Sequence, residues 1–144
     1  MLGMLLSILS GALMSIQGVF NTEVTKQSGI WTASGFVQFT ALLVCVAAWL
    51  VTGRQGSVAA IFSVDKKYML LGGAIGAFIT FTVIKGVEML GPAKAIMFIV
   101  VSQLIVAYLI ELFGLFGQEK ASFDFSKLIG MVLMIGGIIV FKWK

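Results

Sequence analysis

Polar side chains recur along one face of the first apolar segment. Four uncharged polar residues and a methionine are spaced three or four apart: Ser7, Ser10, Met14, Gln17 and Asn21. On a helix with ~100° per residue they fall within roughly 80° of arc. Hydroxyl and amide groups on one face can line an aqueous path, and they can equally hydrogen-bond to a neighbouring helix. Ser7 and Ser10 suit the helix contact better, whereas both interpretations stay open for Gln17 and Asn21.

A second polar group lies within the apolar segment Ala95–Ile110, where Ser102 and Gln103 are adjacent. An amide has four hydrogen-bonding positions, so Gln103 at mid-depth in a membrane needs a helix, water or a solute as partner. Tyr108 and Glu111 come further along, and Glu111 is near enough to the helix end to be a carboxylate at headgroup level. We therefore expect Ser102 and Gln103, rather than Glu111, to line a path.

Residues for covalent or metal chemistry are missing from the sequence. It has no histidine and a single cysteine, Cys45, inside an apolar run. No nucleophile and base recur at a useful spacing, and no residues have metal-ligand spacing. The chain is therefore predicted not to be an enzyme, and to have no catalytic residue, no metal site and no cofactor.

The composition is that of a membrane protein. The chain has 144 residues, of which 60% are apolar and 11% charged, and its mean hydropathy is +1.10. A soluble domain has about a quarter charged residues, so this chain has too few charges to cover a surface in water. The net charge of +4 is not clustered on one face, which excludes a nucleic-acid partner and fits cations at lipid headgroups.

The charge-free runs predict the fold class: an all-α integral membrane protein with five transmembrane helices in one domain, residues 1–144. The helices are placed at about residues 2–22, 31–52, 68–87, 92–113 and 127–143. Trp31 and Trp49 mark two interface belts of helix 2. Helix 5 has the shortest charge-free run, and its ends are expected to be anchored by Lys127, Lys142 and Trp143.

Lysine and arginine are evenly divided between the two sides of a five-helix arrangement. One side has Arg54, Lys66, Lys67, Lys120 and Lys127, and the other has Lys26, Lys85, Lys94, Lys142 and Lys144. Because cation bias sets orientation, a chain without bias is predicted to insert both ways and to form an antiparallel, dual-topology homodimer. The alternative is that the equal count arises by chance. If helix 5 does not span the membrane, the count of lysine and arginine becomes seven on one side and three on the other.

Small residues predict where helices approach closely. Gly72, Gly76 and Thr80 form a ridge on helix 3, and Gly130 and Gly137 lie on nearly the same face of helix 5. Such residues let helix backbones approach in lipid. We expect them to pack helices within the chain or between two chains.

Four segments together have a recognisable order: GALMSIQGVFN at Gly11–Asn21, the helix 4 segment Gly91–Leu104, FGLFG at Phe113–Gly117 and LIGMVLMIGGIIVF at Leu128–Phe141. In this order the chain resembles the small five-helix YdcZ-like family of the bacterial drug/metabolite transporter superfamily, over essentially its whole length. The resemblance implies a protein of the bacterial cytoplasmic (inner) membrane that pairs to reproduce the inverted repeats of larger ten-helix relatives. In such repeats the substrate site lies near the membrane midplane.

The expected function is secondary transport of a small metabolite or drug-like solute by alternating access at a dimer interface. The resemblance implies that Gln17, Asn21 and Gln103 correspond to polar positions of the family. The related four-helix multidrug transporters have a glutamate where this sequence has Met14, so a neutral or zwitterionic solute is expected rather than a cation exchanged for protons. A dual-topology ion channel and a non-transporting accessory protein are the alternatives. The expected partners are the solute, the bilayer and a second copy.

The even distribution of cations predicts that single cysteines near either terminus, in a Cys45→Ala background, label from both sides of the membrane. Two or three lysines added to the Arg54–Lys67 loop should fix one orientation. Impermeant maleimide labelling of sealed vesicles measures this. Labelling of each site from one side only would exclude dual insertion.

Overall fold

The computed structural model describes residues 1–54 and 56–142. Of the cations and anchors predicted for the end of helix 5, Trp143, Lys144 and the side chain of Lys142 lie outside this described part. Within the described residues the regular structure is entirely helical, which confirms the predicted all-α class.

Five α-helices follow one another along the described chain: α1 (Leu2–Ser28), α2 (Ile30–Val51), α3 (Gly72–Leu90), α4 (Pro92–Phe113) and α5 (Phe125–Lys142). Short 3₁₀ segments occupy Val58–Ser63, Lys67–Leu71 and Leu115–Gly117. α1 continues to Ser28, past the end expected at residue 22. Glu23 and Lys26, one turn apart on this extension, pair with each other at 2.6 Å.

Glycines with positive φ directly follow α1, α3 and α4, and Gly29 and Gly114 are two of them. Gly29 alone separates α1 from α2 and has φ 81°, a backbone conformation that a residue with a Cβ rarely adopts. Gly114 follows α4 in the left-handed conformation, with φ 63°. A Cβ at Gly114 would also lie 3.3 Å from the carbonyl oxygen of Gln118. Glycine is therefore required at both turns.

Four helical segments of the described chain are long and apolar enough to cross a membrane: Leu2–Ser28, Ile30–Val51, Lys67–Leu90 and Pro92–Phe113. The apolar helix Phe125–Phe141 is shorter. The 18 residues of α5 reach about 27 Å at ~1.5 Å per residue, against a hydrocarbon thickness of about 30 Å. A fifth span, and with it the single five-helix domain, stays a prediction.

The first of two packed units, Met1–Met89, contains α1, α2 and α3. Its buried residues lie towards the turn between α1 and α2, and they are Gly18, Asn21, Thr22, Ala33, Ser34, Ile84 and Val87. Trp31 stacks on Phe81 with ring centroids 4.9 Å apart, which holds α2 against α3. The three helices therefore pack closely at one end, where α1 ends, α2 begins and α3 ends.

The second unit, Leu90–Lys144, is a pair of helices, α4 and α5, and the connection between them. Asp124 caps α5 by accepting the backbone N–H of Ser126 at 2.8 Å. The hydroxyl of Tyr108 on α4 accepts the backbone N–H of Asp124 at 3.1 Å. Lys127 on α5 pairs with Glu111 on α4 at 3.2 Å. The polar contacts of this unit therefore gather at the end of α4 and the start of α5.

The helices expose most of their apolar side chains. Only 6% of the most apolar window of α1, of α2 and of α4 is buried. Leucine, isoleucine and phenylalanine side chains such as Leu5, Phe36 and Phe78 are more than half exposed. Exposed apolar surface of this extent is stable in lipid or against another chain, not in water.

The contact of α1 with α3 depends on the absence of a side chain at Gly18. A Cβ there would lie 3.4 Å from Cγ1 of Val83 and 3.8 Å from Cγ2 of Val87, so alanine fits but leucine does not. We expect Gly18→Leu to destabilise the protein by about 1–3 kcal/mol, as overpacking does. Gly11→Leu is the matched control, since a Cβ at Gly11 meets nothing within 4 Å. Thermal unfolding in detergent compares the two, and equal melting temperatures would contradict the α1–α3 contact.

Candidate functional site: the polar face of α1

A groove of about 550 Å³ runs along α1. All of its lining residues belong to this helix: Leu6, Leu9, Ser10, Leu13, Met14, Ile16, Gln17, Phe20 and Asn21. Ligand sites commonly have about 300–1,000 Å³. The structure thus brings Met14, Gln17 and Asn21 together on one surface. We call this surface the α1 groove.

The two amides of the α1 groove differ in exposure. Residues before Gly18 on α1 are not buried, and the side chain of Gln17 is exposed. Asn21, by contrast, is 8% exposed. The groove therefore leads from an accessible polar amide to a buried one within two turns of helix.

The groove has no charged side chain among its lining residues. Its polar groups are one hydroxyl and two amides, from Ser10, Gln17 and Asn21, and the remainder is apolar. Amides and hydroxyls both donate and accept hydrogen bonds, so they can bind an uncharged or zwitterionic solute. A permanent cation would find no carboxylate there.

A second polar layer joins α2 to α3 in the same unit. The amide of Gln38 on α2 donates to the hydroxyl of Thr80 on α3 at 3.4 Å. Gly76, one turn before Thr80, lies beside this amide, and a Cβ there would be in ordinary contact with Nε2 of Gln38 at 3.7 Å. α1 and α2 form a hairpin whose turn is at Gly29 and Ile30. Asn21 precedes Gly29 by as many residues as Gln38 follows Ile30. The two amides are therefore at a similar height in the bundle.

Two hydroxyls near the α1–α2 turn are buried without a hydrogen-bond partner in the described structure, those of Thr25 and Ser34. Ser34 is only 3% exposed. Other helix hydroxyls donate to their own backbone, as Thr22 does to Gly18 at 2.8 Å. An unpaired buried hydroxyl costs about 1–3 kcal/mol, so these two positions favour an ordered water or a bound polar group.

Ser102 and Gln103 both lie on α4 and are exposed. The hydroxyl of Ser102 donates to the carbonyl of Ile99 at 2.9 Å and is thereby satisfied within its own helix. The two residues belong to the second unit, and the α1 groove does not include them.

The predicted packing glycines have different surroundings. A Cβ at Gly76 would contact Gln38, whereas a Cβ at Gly72, Gly130 or Gly137 would meet nothing within 4 Å among the described atoms. Gly130 also lines a cavity between α4 and α5. The surfaces at Gly130 and Gly137 are thus open to a lipid or to another chain.

Sequence analysis missed Gln38, Thr25 and Ser34. Gln38 lies in the charge-free run of helix 2, so the argument that selected Gln17 and Gln103 applies to it equally. Thr25 and Ser34 are equidistant from the turn at Gly29 and Ile30. Their corresponding positions on the two helices become evident only once the hairpin is known. The partners Glu111 and Lys127 are 16 residues apart, and no helical spacing links them.

The described residues include no group of three or more cysteine, aspartate or glutamate side chains able to hold a metal. What the site offers is a set of neutral hydrogen-bonding groups on a membrane-crossing helix.

Comparison with known protein families identifies the family of the chain. Residues 2–140 match the family DMT_YdcZ, described as "Putative inner membrane exporter, YdcZ". The chain belongs to the YdcZ family. Searches among curated proteins and among solved structures each gave no match.

Membership in the YdcZ family confirms the resemblance found in the sequence. The match extends from α1 into α5 and so includes every helix of the fold. It places the chain in the inner membrane, in agreement with the membrane-crossing helices. As a member of an exporter family, the chain is a membrane transport protein in the general sense.

Proposed function

We propose that two copies of this chain, inserted in opposite orientations, form a secondary transporter that exports a small neutral or zwitterionic solute. The solute passes along the α1 groove, where Gln17 and Asn21 bind it and Met14 provides apolar contact. Ser102 and Gln103 of α4 contribute further polar groups to the path. The observation that carries this proposal is the set of uncharged polar groups on one face of a membrane-crossing helix, along a shallow groove that is open to its surroundings.

The dimer follows from the one-sided construction of the groove. All its lining residues are on α1, so a path enclosed by protein also needs residues from another helix. The even distribution of lysine and arginine supports insertion in both orientations. A copy inserted in the opposite orientation can then provide the helix that encloses the path. Two inverted copies reproduce the inverted repeats of larger transporters, in which rocking about a central site gives alternating access.

The dimer also requires α5 to cross the membrane, because only five spans balance the cations. Its open faces at Gly130 and Gly137 support a contact with the second copy, since small residues allow close helix approach.

Substitution of the polar groups tests the path. Gln17→Leu and Gln103→Leu keep the approximate side-chain volume and remove the amide. We expect both variants to fold and dimerise normally, and to lose solute binding and flux by about fivefold or more, since a hydrogen bond to a bound solute contributes about 1 kcal/mol or more. A thermal-shift screen of uncharged and zwitterionic solutes identifies a ligand, and uptake into proteoliposomes measures flux.

The matched control is Gln27→Leu, because Gln27 is an exposed glutamine on α1 outside the groove. It should bind and transport like the unmodified protein. Full transport by stably folded Gln17→Leu and Gln103→Leu would contradict the path. Conductance that does not saturate would indicate a channel, and failure to bind or move any solute would indicate an accessory protein.

A further inference from the structure

The second unit contains a cavity of about 370 Å³ between α4 and α5 that the transport path does not use. Its lining combines one carboxylate, one ammonium group and a phenol ring with apolar side chains. The volume is within the range of about 300–1,000 Å³ that is typical of ligand sites. We call it the α4–α5 cavity.

The charged part of the α4–α5 cavity is the pair of Glu111 and Lys127. Their side chains meet at 3.2 Å and are each about half exposed, at 53% and 47%. The ammonium of Lys127 also lies 5.3 Å from the centre of the Tyr108 ring. The ring is held in place because the Tyr108 hydroxyl accepts the N–H of Asp124. An exposed pair of this kind contributes little to stability, so a ligand can separate its members at small cost.

The apolar part lies deeper along the same two helices. Leu104 is seven residues before Glu111 on α4, and Met134 is seven residues after Lys127 on α5. Seven residues span about 10 Å of helix. Because Glu111 is in the last turn of α4 and Lys127 in the first turn of α5, the charges lie at the helix ends and the apolar lining extends towards the membrane interior.

We propose that the α4–α5 cavity binds an aminophospholipid of the phosphatidylethanolamine type. The lipid's primary ammonium donates to the Glu111 carboxylate, its phosphate accepts from Lys127, and an acyl chain lies along Met131 and Met134. Methionine side chains are flexible enough to follow such a chain. Binding thus replaces the ion pair of Glu111 with Lys127 by two ion pairs with the lipid. The cavity stays electrically neutral.

The charges of the pair select this headgroup over others. A choline headgroup has a quaternary ammonium and no N–H to donate to Glu111. A glycerol headgroup has the phosphate but no cation, and leaves Glu111 without a partner. The inference uses none of the residues that are proposed to bind the transported solute, although Gly130, which lines this cavity, also belongs to the proposed dimer contact.

Thermal unfolding of the full-length protein in detergent tests this proposal. The probes are the dihexanoyl forms of phosphatidylethanolamine, phosphatidylcholine and phosphatidylglycerol, together with free phosphoethanolamine. We expect the ethanolamine lipid to raise the melting temperature saturably, and the other three to act at least tenfold more weakly. Glu111→Gln and Lys127→Met should each weaken the response to the ethanolamine lipid by tenfold or more.

A second pair in the chain is a matched control. Lys85 and Glu88 meet at 2.7 Å and are each 46% exposed, but they do not line the α4–α5 cavity. Lys85→Met and Glu88→Gln should leave the lipid response unchanged. Met134→Trp fills the apolar end of the cavity and leaves the ion pair intact. It should also abolish the response to the ethanolamine lipid. This variant tests the proposal even if the charge variants fold poorly.

Three results would overturn the proposal. Equal shifts with all three lipids would mean non-specific solvation by amphiphiles. An unchanged response in Lys127→Met and Met134→Trp would mean that the lipid binds elsewhere. An equal response to free phosphoethanolamine would mean a site for a soluble zwitterion, without a role for the acyl chain.

Discussion

A bilayer interior offers no hydrogen-bonding partner, and this constraint governs the whole fold. Backbone groups are satisfied within helices, and hydroxyls such as those of Ser7 and Thr82 donate to carbonyls of their own helix. Polar side chains that are not satisfied in this way must have another partner. Gln17 and Asn21, on one face of α1, are the clearest of these, which is why the α1 groove is the centre of the proposed function.

The same constraint explains how little the chain buries of itself. Only five hydrophobic residues of the described chain form its core, among them Ile84, which is 0% exposed. Apolar surface gains nothing by leaving lipid for protein, so helices associate through small residues, stacking and hydrogen bonds instead. Gly18 against Val83 and Trp31 against Phe81 are such contacts. Helices held by few contacts can move relative to each other, which alternating access requires.

Much of the fold follows from the sequence, because span length and apolar character are local properties. Four spans and the common face of Met14 and Gln17 were predictable for this reason. The Gln38–Thr80 bond was not, since it depends on which face of α2 meets α3. The end of α1 was misplaced because Glu23 and Lys26 look like a loop in sequence, although they neutralise each other on a continuing helix.

Water accessibility along α1 tests the central claim that its polar face lines a path. In a Cys45→Ala background, single cysteines are placed at Ser10, Met14 and Gln17 on the groove face, and at Ile8, Ala12 and Val19 on the opposite face. Reaction with an impermeant maleimide is then measured in membrane vesicles. The account predicts that the groove-face cysteines react and the opposite-face cysteines do not. Equal reactivity on both faces, or protection of the groove face in folded protein, would contradict it.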